Sequence, residues 1–226
     1  DDPTYSATTY QTIDPDTDMV KTPALNYNTF GLRVMPKFTD TIEGNFEAAY
    51  QIGSYDGGIP KTGYMADISM KWHMPVFKHL KPSLSTGWYY LSGKDMNARR
   101  DEGWTSPFAR SAGYSSIYTT TLSYEDAARW SNTNMYYTEL TASPFQWLKT
   151  SLSVGYLLAP VKDGIGDGNE KGWLAAFQAD FKIGKNLLRK NDALTGQFRF
   201  ETLKPGDYYS DSDRAYYIRW EIAYIF

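Results

Sequence analysis

The chain has 226 residues, a formal net charge of -3 and no cysteine. These values exclude a disulfide framework, a thiolate metal site and a thiol nucleophile, and they offer no basic surface for nucleic acid. Mean hydropathy is -0.52, and the absence of any run of about eighteen apolar residues excludes a transmembrane helix. Aromatic residues make up 16% of the chain, with 19 Tyr and 7 Trp, an excess that is typical of proteins with aromatic girdles at a membrane surface.

The N-terminal region is the least regular part of the sequence. Residues 4–13 alternate weakly and form a candidate strand. The Asp-rich residues 14–18 lack the Gly and the distal Glu of a calcium-binding loop, which favours a solvated turn. The chain begins without the basic and apolar segments of a signal peptide, so we expect a mature chain or a piece of a longer one.

Nine ribbons of alternating polarity follow. They span residues 29–37, 42–52, 64–72, 82–92, 132–142, 148–158, 173–183, 193–203 and 214–226. Because the side chains of a strand alternate between its two faces, each ribbon has one apolar and one polar face. Ribbons of about nine to eleven residues fit a tilted crossing of the hydrocarbon layer of a membrane.

The connections between the ribbons alternate in length. Those after the first, third, fifth and seventh ribbons are short, and the others tend to be longer, which is the asymmetry of outer-membrane barrels with short periplasmic turns and longer extracellular loops. The longest connection is residues 93–130, and loops of this length are usually functional. We therefore predict an extracellular or pore-folding loop there. Its Arg99, Arg100 and Arg110 either form a constriction or keep a surface loop soluble.

The last ribbon places Trp220, Ile222, Tyr224 and Phe226 on its apolar face. A C-terminal Phe after such a ribbon resembles the assembly signal of bacterial outer-membrane β-barrels. The resemblance implies a Gram-negative outer membrane as the location, and outer-membrane lipid and the barrel-assembly machinery as partners. The predicted fold is all-β, with residues 1–226 forming one transmembrane antiparallel β-barrel domain or barrel half. The alternative is a soluble antiparallel sandwich, which also alternates.

The number of strands limits how such a barrel closes. Bacterial single-chain barrels have an even number of strands with both ends in the periplasm, so nine strands do not close. Either residues 4–13 supply a tenth strand of a small complete barrel, or a second segment or chain supplies preceding strands.

Three stretches carry a further resemblance. They are Tyr27-Asn-Thr-Phe-Gly-Leu-Arg33, Phe46-Glu-Ala-Ala-Tyr-Gln-Ile-Gly53 and Gly87-Trp-Tyr-Tyr-Leu-Ser-Gly93, the last followed by a long loop with Pro107-Phe108. In order and spacing, most of residues 27–226 resembles the C-terminal half of the alginate-export family of outer-membrane porins. The resemblance implies a barrel of about eighteen strands, an even number as in other bacterial barrels, with this chain as its second half. It also implies an arginine-rich passage for a polyuronate, with Arg33 as a pore-lining cation.

In the barrel, the polar faces of the ribbons line the lumen. The predicted pore-lining residues are Arg33, Glu43, Glu47, Asp67, Lys71, Asp180, Lys182, Arg199, Glu201, Arg219 and Glu221. Charges of both signs occur on neighbouring ribbons. They either form cross-strand ion pairs that hold the wall together or favour ions and sugars of opposite sign in the passage.

The predicted function is a porin or channel for passive diffusion or export of small or sugar-like solutes. The alternative is a structural or partner-binding barrel with a plugged lumen and no transport. An enzyme is not predicted, because His73 and His79 lie near a turn without a nucleophile on the same face and without a third metal ligand nearby. No cofactor and no metal are expected.

Overall fold

The computed structural model describes residues 12–13, 20–21, 24–95, 98–106, 115–117, 131–162, 166–185 and 192–225. Almost all regular structure in them is β-strand, as the alternating polarity predicts. Of these residues, only 116–117 are helical. No helix in the described part of the chain is both long and apolar enough to cross a membrane.

In the part of the chain that the structure describes, nine strands form one antiparallel sheet in which every strand pairs with its neighbours in sequence. They are β3 (Leu25–Val34), β4 (Ile42–Tyr55), β5 (Pro60–His73), β6 (Ser83–Leu91), β7 (Thr133–Phe145), β8 (Leu148–Leu158), β9 (Glu170–Lys185), β10 (Ala193–Lys204) and β11 (Ala215–Ile225). Within the described residues the sheet is not closed, because β3 and β11 are its two edges and do not pair with each other. The all-β class is thus confirmed as an open, nine-stranded sheet.

The strands match the predicted ribbons closely, although β3 begins at Leu25 and ends at Val34, and β7 continues to Phe145. β8 has the predicted bounds, whereas β4 and β9 continue beyond them and β5 begins at Pro60. Proline lacks a backbone donor and is tolerated at the first position of a strand, which is where Pro60 lies. Lengths range from 9 residues in β6 to 16 in β9.

Part of the predicted tenth strand lies elsewhere. β1 (Thr12–Ile13) pairs with β2 (Val20–Lys21) in a separate two-stranded sheet and not with the nine-stranded one. Residues 4–11 and the predicted turn at 14–18 lie outside the described residues.

The connections sort onto the two ends of the sheet. The strand ends joined by the β3–β4, β5–β6, β7–β8 and β9–β10 connections lie at one end, which we call the short-turn end. The strand ends joined by the β4–β5, β6–β7, β8–β9 and β10–β11 connections lie at the other, which we call the long-loop end. The predicted asymmetry holds for three of the four pairs. It fails for the first pair, since residues 56–59 after β4 are fewer than residues 35–41 after β3.

The register places most of the large apolar side chains on one face of the sheet and the charged side chains on the other. On β4 and β5, for example, Phe46 lies opposite Ile68, and Glu47 lies opposite Asp67. The apolar face is exposed over its whole width, and the polar face is concave, because side chains as far apart in the sheet as β4 and β10 line one common cavity. Function is therefore to be sought on the concave face.

Gly172 at the start of β9 is a position that no other residue fits. Its φ is +104°, and a Cβ there would lie 2.1 Å from the carbonyl oxygen of Lys204. It pairs with Leu157 next to an irregularity in the β8–β9 register. We expect Gly172→Ala to lower the free energy of unfolding by about 3 kcal/mol, since strain and a backbone clash add.

Gly57 provides the matched control in a urea titration. Its φ is +93°, but nothing lies within 4 Å of a Cβ built there. Gly57→Ala isolates the backbone strain and is expected to cost about 1 kcal/mol. Equal losses for the two variants would contradict the clash at Gly172.

Candidate functional site

The concave polar face collects every residue predicted to line a pore. Arg33 lies opposite Glu47, which lies opposite Asp67, and Glu43 lies opposite Lys71. Toward the β11 edge, the pairing of β9 with β10 and of β10 with β11 places the other predicted charges on the same face. They are Asp180, Lys182, Arg199, Glu201, Arg219 and Glu221. Their common face follows from the period-two alternation of each strand.

A cavity of about 630 Å³ occupies the half of this face near the short-turn end. Its charged lining side chains are Lys37, Glu43, Lys71, Glu139, Lys149, Asp180 and Arg199. Between them lie the hydroxyls of Ser69, Ser85, Thr141, Ser151 and Ser153. The lining therefore combines both signs of charge with many neutral hydrogen-bonding groups, which suits polar solutes.

Several charges of the concave face are paired, and near the β11 edge the two partners of a pair lie on the same strand. Arg199 pairs with Glu201 within β10, and Arg219 pairs with Glu221 within β11. Arg33 and Glu47 form a cross-strand pair at 3.6 Å. The predicted cross-strand pairing thus occurs between β3 and β4, whereas on β10 and β11 the guanidinium reaches the carboxylate two residues further along its own strand.

Other charges in the cavity are held differently. Gln178 and Gln197 both donate a hydrogen bond to Asp180 Oδ1, each at 2.9 Å, and fix this carboxylate in the wall. Among the described residues, no carboxylate lies within 4.0 Å of the ammonium groups of Lys71 and Lys149. These two lysines are consequently available to solutes in the cavity.

Sequence reasoning missed three charged residues of the lining, Lys37, Glu139 and Lys149. Lys37 continues the parity of Arg33 and Met35 at the end of the first predicted ribbon. Glu139 lies on β7, where large aromatic and polar residues occur on both faces and obscure the alternation. Lys149 is the second residue of β8, next to the turn at residues 146–147. Lys149 lies two residues before Ser151 and four before Ser153, so the alternation of the strand places it on the same polar face as both. The sequence therefore did contain the information needed to predict Lys149.

Two described segments of the long connection between β6 and β7, residues 98–106 and 115–117, lie over the other half of the concave face. Lys61, which is only 1% exposed, pairs with Asp101 at 3.4 Å and donates a hydrogen bond to the carbonyl of Gly103. Tyr55 donates to Asp101 Oδ2 at 2.6 Å. Gln51 donates to the carbonyl of Thr105 at 2.6 Å and accepts from the Thr105 N–H at 2.9 Å. Residues 98–106 are therefore attached to β4 and β5 by several buried contacts.

A second attachment joins the same connection to β10. The Glu201 carboxylate is fully buried and accepts hydrogen bonds from the Ser115 hydroxyl at 2.8 Å and from the backbone N–H groups of Ser116 and Ile117 at 2.9 and 3.1 Å. Arg199 donates to the same carboxylate. Glu201 was predicted as a lumen charge, and its engagement with the loop had no signal in the sequence.

Apolar side chains between the two attachments form the core of the molecule. Trp104 and Ile117 from the connection pack in one cluster with Leu91, Met135, Leu157, Leu174 and Leu203 from the strands. These strand residues are inward-facing positions of β6 to β10, near the long-loop end. The loop thus fills this end of the concave face with a packed core.

The structure places the remaining predicted residues away from the cavity or does not describe them. Arg99 and Arg100 are exposed, and Arg100 pairs with Glu102 at 3.3 Å. A role of these arginines in a constriction remains a prediction. Arg110 and Phe226 lie outside the described residues.

The histidines and acidic groups form no metal site in the described ranges. His73 lies 3.5 Å from Glu43, with both side chains partly exposed. In those ranges, no three His, Cys, Asp or Glu side chains come close enough together to hold a metal ion.

The fold and this face define an all-β protein with an exposed apolar face and a concave polar one, partly filled by its own loop. Compared with protein-family models and with curated proteins, the chain matches none of them. The resemblance to alginate-export porins therefore remains an expectation from the motifs.

Proposed function

We propose that this protein is an outer-membrane β-barrel porin that passes small or sugar-like solutes by diffusion or export across the outer membrane of a Gram-negative bacterium. Outer-membrane lipid and the barrel-assembly machinery are its expected partners. The observation that carries the proposal is the wide apolar face opposite a concave polar face. Exposed apolar patches of this extent mark a surface that is covered by something other than water.

The arrangement of aromatic rings on the apolar face supports lipid as the covering. Near the long-loop end, Tyr50 and Tyr64 lie 5.1 Å apart between ring centroids, and Tyr156 and Trp173 lie 4.9 Å apart. Near the short-turn end, Trp147 stacks on Phe145 at 5.2 Å and on Phe181 at 6.5 Å. Two such belts are typical of transmembrane barrels, where rings lie at both membrane surfaces.

The spacing of the belts fits the thickness of a membrane. Trp173 and Phe181 belong to opposite belts on β9, and Tyr216 and Tyr224 stand at the same spacing on β11. At about 3.4 Å per residue this separation is about 27 Å along a strand. With a tilt of about 40°, it gives an apolar band about 20 Å tall, close to the band of about 25 Å in outer-membrane barrels.

The open edges support a larger assembly. Unpaired backbone groups of a strand edge cannot face lipid, so further strands must pair with β3 and β11. As the first and last of nine antiparallel strands, β3 and β11 run in the same direction. Only an odd number of added antiparallel strands closes such a sheet, and the total is then even, as in bacterial barrels. A second segment or chain of similar size would give the barrel of about eighteen strands that the resemblance implies.

The alternative function, a structural or partner-binding barrel without transport, rests on a specific observation. Residues 98–106 and 115–117 occupy the long-loop half of the concave face, where they contact both β4 and β10. If the loop closes the lumen completely, the same wall serves a scaffold. The open cavity of about 630 Å³ and its polar lining favour the porin.

Single-channel recording in a planar bilayer tests the proposal. Protein extracted from membranes with any partner chain retained is expected to give steady current steps, with ion selectivity close to unity because the lining carries both signs of charge. Block by an acidic polysaccharide would support the export reading. Folded protein that gives no current would overturn the porin proposal and favour the structural one.

A further inference from the structure

Two neighbouring strands on the concave face carry the same Arg-x-Glu sequence, but only one of the two carboxylates holds the loop. In β11, the Arg219 and Glu221 side chains are about half exposed, at 50% and 46%. In β10, the Glu201 side chain is 0% exposed and binds Ser115, Ser116 and Ile117. An ion pair that only stabilised the wall would not need the second set of contacts.

Both attachments of the connection lie on the concave face, one near each edge of the sheet. Segment 98–106 is hydrogen-bonded to the start of β5. The N–H of Asp101 donates to the carbonyl of Pro60 at 2.9 Å, and the N–H of Thr62 donates to the carbonyl of Asp101 at 2.8 Å. Segment 115–117 is bound to β10. Between β5 and β10 stand β6, β7, β8 and β9 in the order of the sheet. The two described segments of the connection are therefore fastened to two walls that face each other across the concavity.

We propose that residues 98–106 and 115–117 form a fixed brace that sets the size of solute able to pass the long-loop end, and that Glu201 is the positioning residue that holds the brace to its second wall. The size limit rests on the proposed function, whereas the anchoring role of Glu201 does not. Hydrogen bonds to an ionised carboxylate are among the stronger ones, and several converge on this side chain. With the β4–β5 attachment intact, loss of the carboxylate frees one end of the brace and widens the passage.

Hydrogen exchange of the amides of Ser116 and Ile117 tests the anchor directly. In Glu201→Ala, we expect these amides to exchange on the order of tenfold to a hundredfold faster, because their acceptor is gone. Glu201→Gln keeps the volume and one acceptor oxygen, so it should show a smaller acceleration and covers the case in which the alanine variant does not fold. Glu221→Gln, the matched carboxylate on β11, should leave both amides unchanged. Unchanged exchange in the Glu201 variants would overturn the anchor.

The size limit is measured as the ratio of trisaccharide to monosaccharide permeation into liposomes. We expect the ratio to rise severalfold in Glu201→Ala, while a role of Glu201 in stability alone would lower both rates together and leave their ratio constant. Because the chain has no cysteine, Ser115→Cys with Glu201→Cys can be joined by a short reversible bis-methanethiosulfonate linker. Linking should restore the low ratio, and a reductant should raise it again.

The outcomes separate the two proposals. A ratio that stays constant while the wild-type protein conducts overturns the brace as a size limit. Faster exchange in Glu201→Ala together with no permeation by folded wild-type protein supports the anchor and overturns the porin function, and the size limit with it.

Discussion

Trp220→Lys is expected to abolish assembly into membranes. Trp220 lies midway between Tyr216 and Tyr224 on β11 and is 73% exposed on the apolar face. In the proposed barrel this position is near the bilayer midplane, where a lysine costs about 2–4 kcal/mol. The measurement is the yield of folded, heat-modifiable protein after refolding into lipid vesicles, followed by its free energy of unfolding in urea. Ile222→Lys should behave in the same way.

Depth and face provide the controls for this experiment. Tyr216→Lys places the charge at the aromatic belt, where the cost falls to about 0–1 kcal/mol. Ala223→Lys places it on the polar face of the same strand, beside Thr195 in the register, and should assemble normally. A soluble protein that covers this face with another protein would show no dependence on depth. Normal yields of folded Trp220→Lys would contradict the face assignment.

Lys61→Met is expected to lower the free energy of unfolding by about 3–5 kcal/mol, because it leaves the Asp101 carboxylate buried without its cation. Both side chains are almost fully buried, at 1% and 7% exposed. The variant should also detach residues 98–106 from β5. Urea titration measures the first effect, and hydrogen exchange at the amides of Thr62 and Trp104 measures the second.

The double variant Lys61→Met with Asp101→Asn should recover much of this loss, since no unpaired charge is then buried and the asparagine still accepts from Tyr55. Lys37→Met is the exposed counterpart. Lys37 lies 3.9 Å from Glu43 with its side chain 79% exposed, so its removal should cost about 0–1 kcal/mol. Similar losses for Lys61→Met and Lys37→Met would show that the buried pair has no special role.

Much of the sheet was predictable because the two faces of a strand appear in the sequence as alternating apolar and polar residues. The bounds of β8 were predicted to the residue, and the charges from Arg33 to Glu221 were placed on one face by alternation alone. Alternation is local, since each residue reports its face relative to the next. Where it is weak, as at Glu139 on β7, the prediction missed a residue of the cavity.

The attachments of the long connection were not predictable in this way. Gln51 and Thr105 are 54 positions apart, and Ser115 and Glu201 are 86 positions apart. No local pattern marks such pairs, and the sequence left open whether this loop enters the lumen or stays on the surface. The burial of Lys61 is equally unexpected, since a lysine is rarely buried unless it is paired.

The amino-acid sequence by itself determined the all-β class, the order of the strands along the chain and which side chains share a face, because these follow from a period of two and from short turns. Only the tertiary structure decided that β1 pairs with β2 and not with the nine-stranded sheet, and that segments 98–106 and 115–117 of the β6–β7 connection contact strands on both sides of the concavity. These features depend on contacts between residues that are far apart in the sequence. The entropy cost of closing such loops and the packing that offsets it do not show in any local sequence pattern.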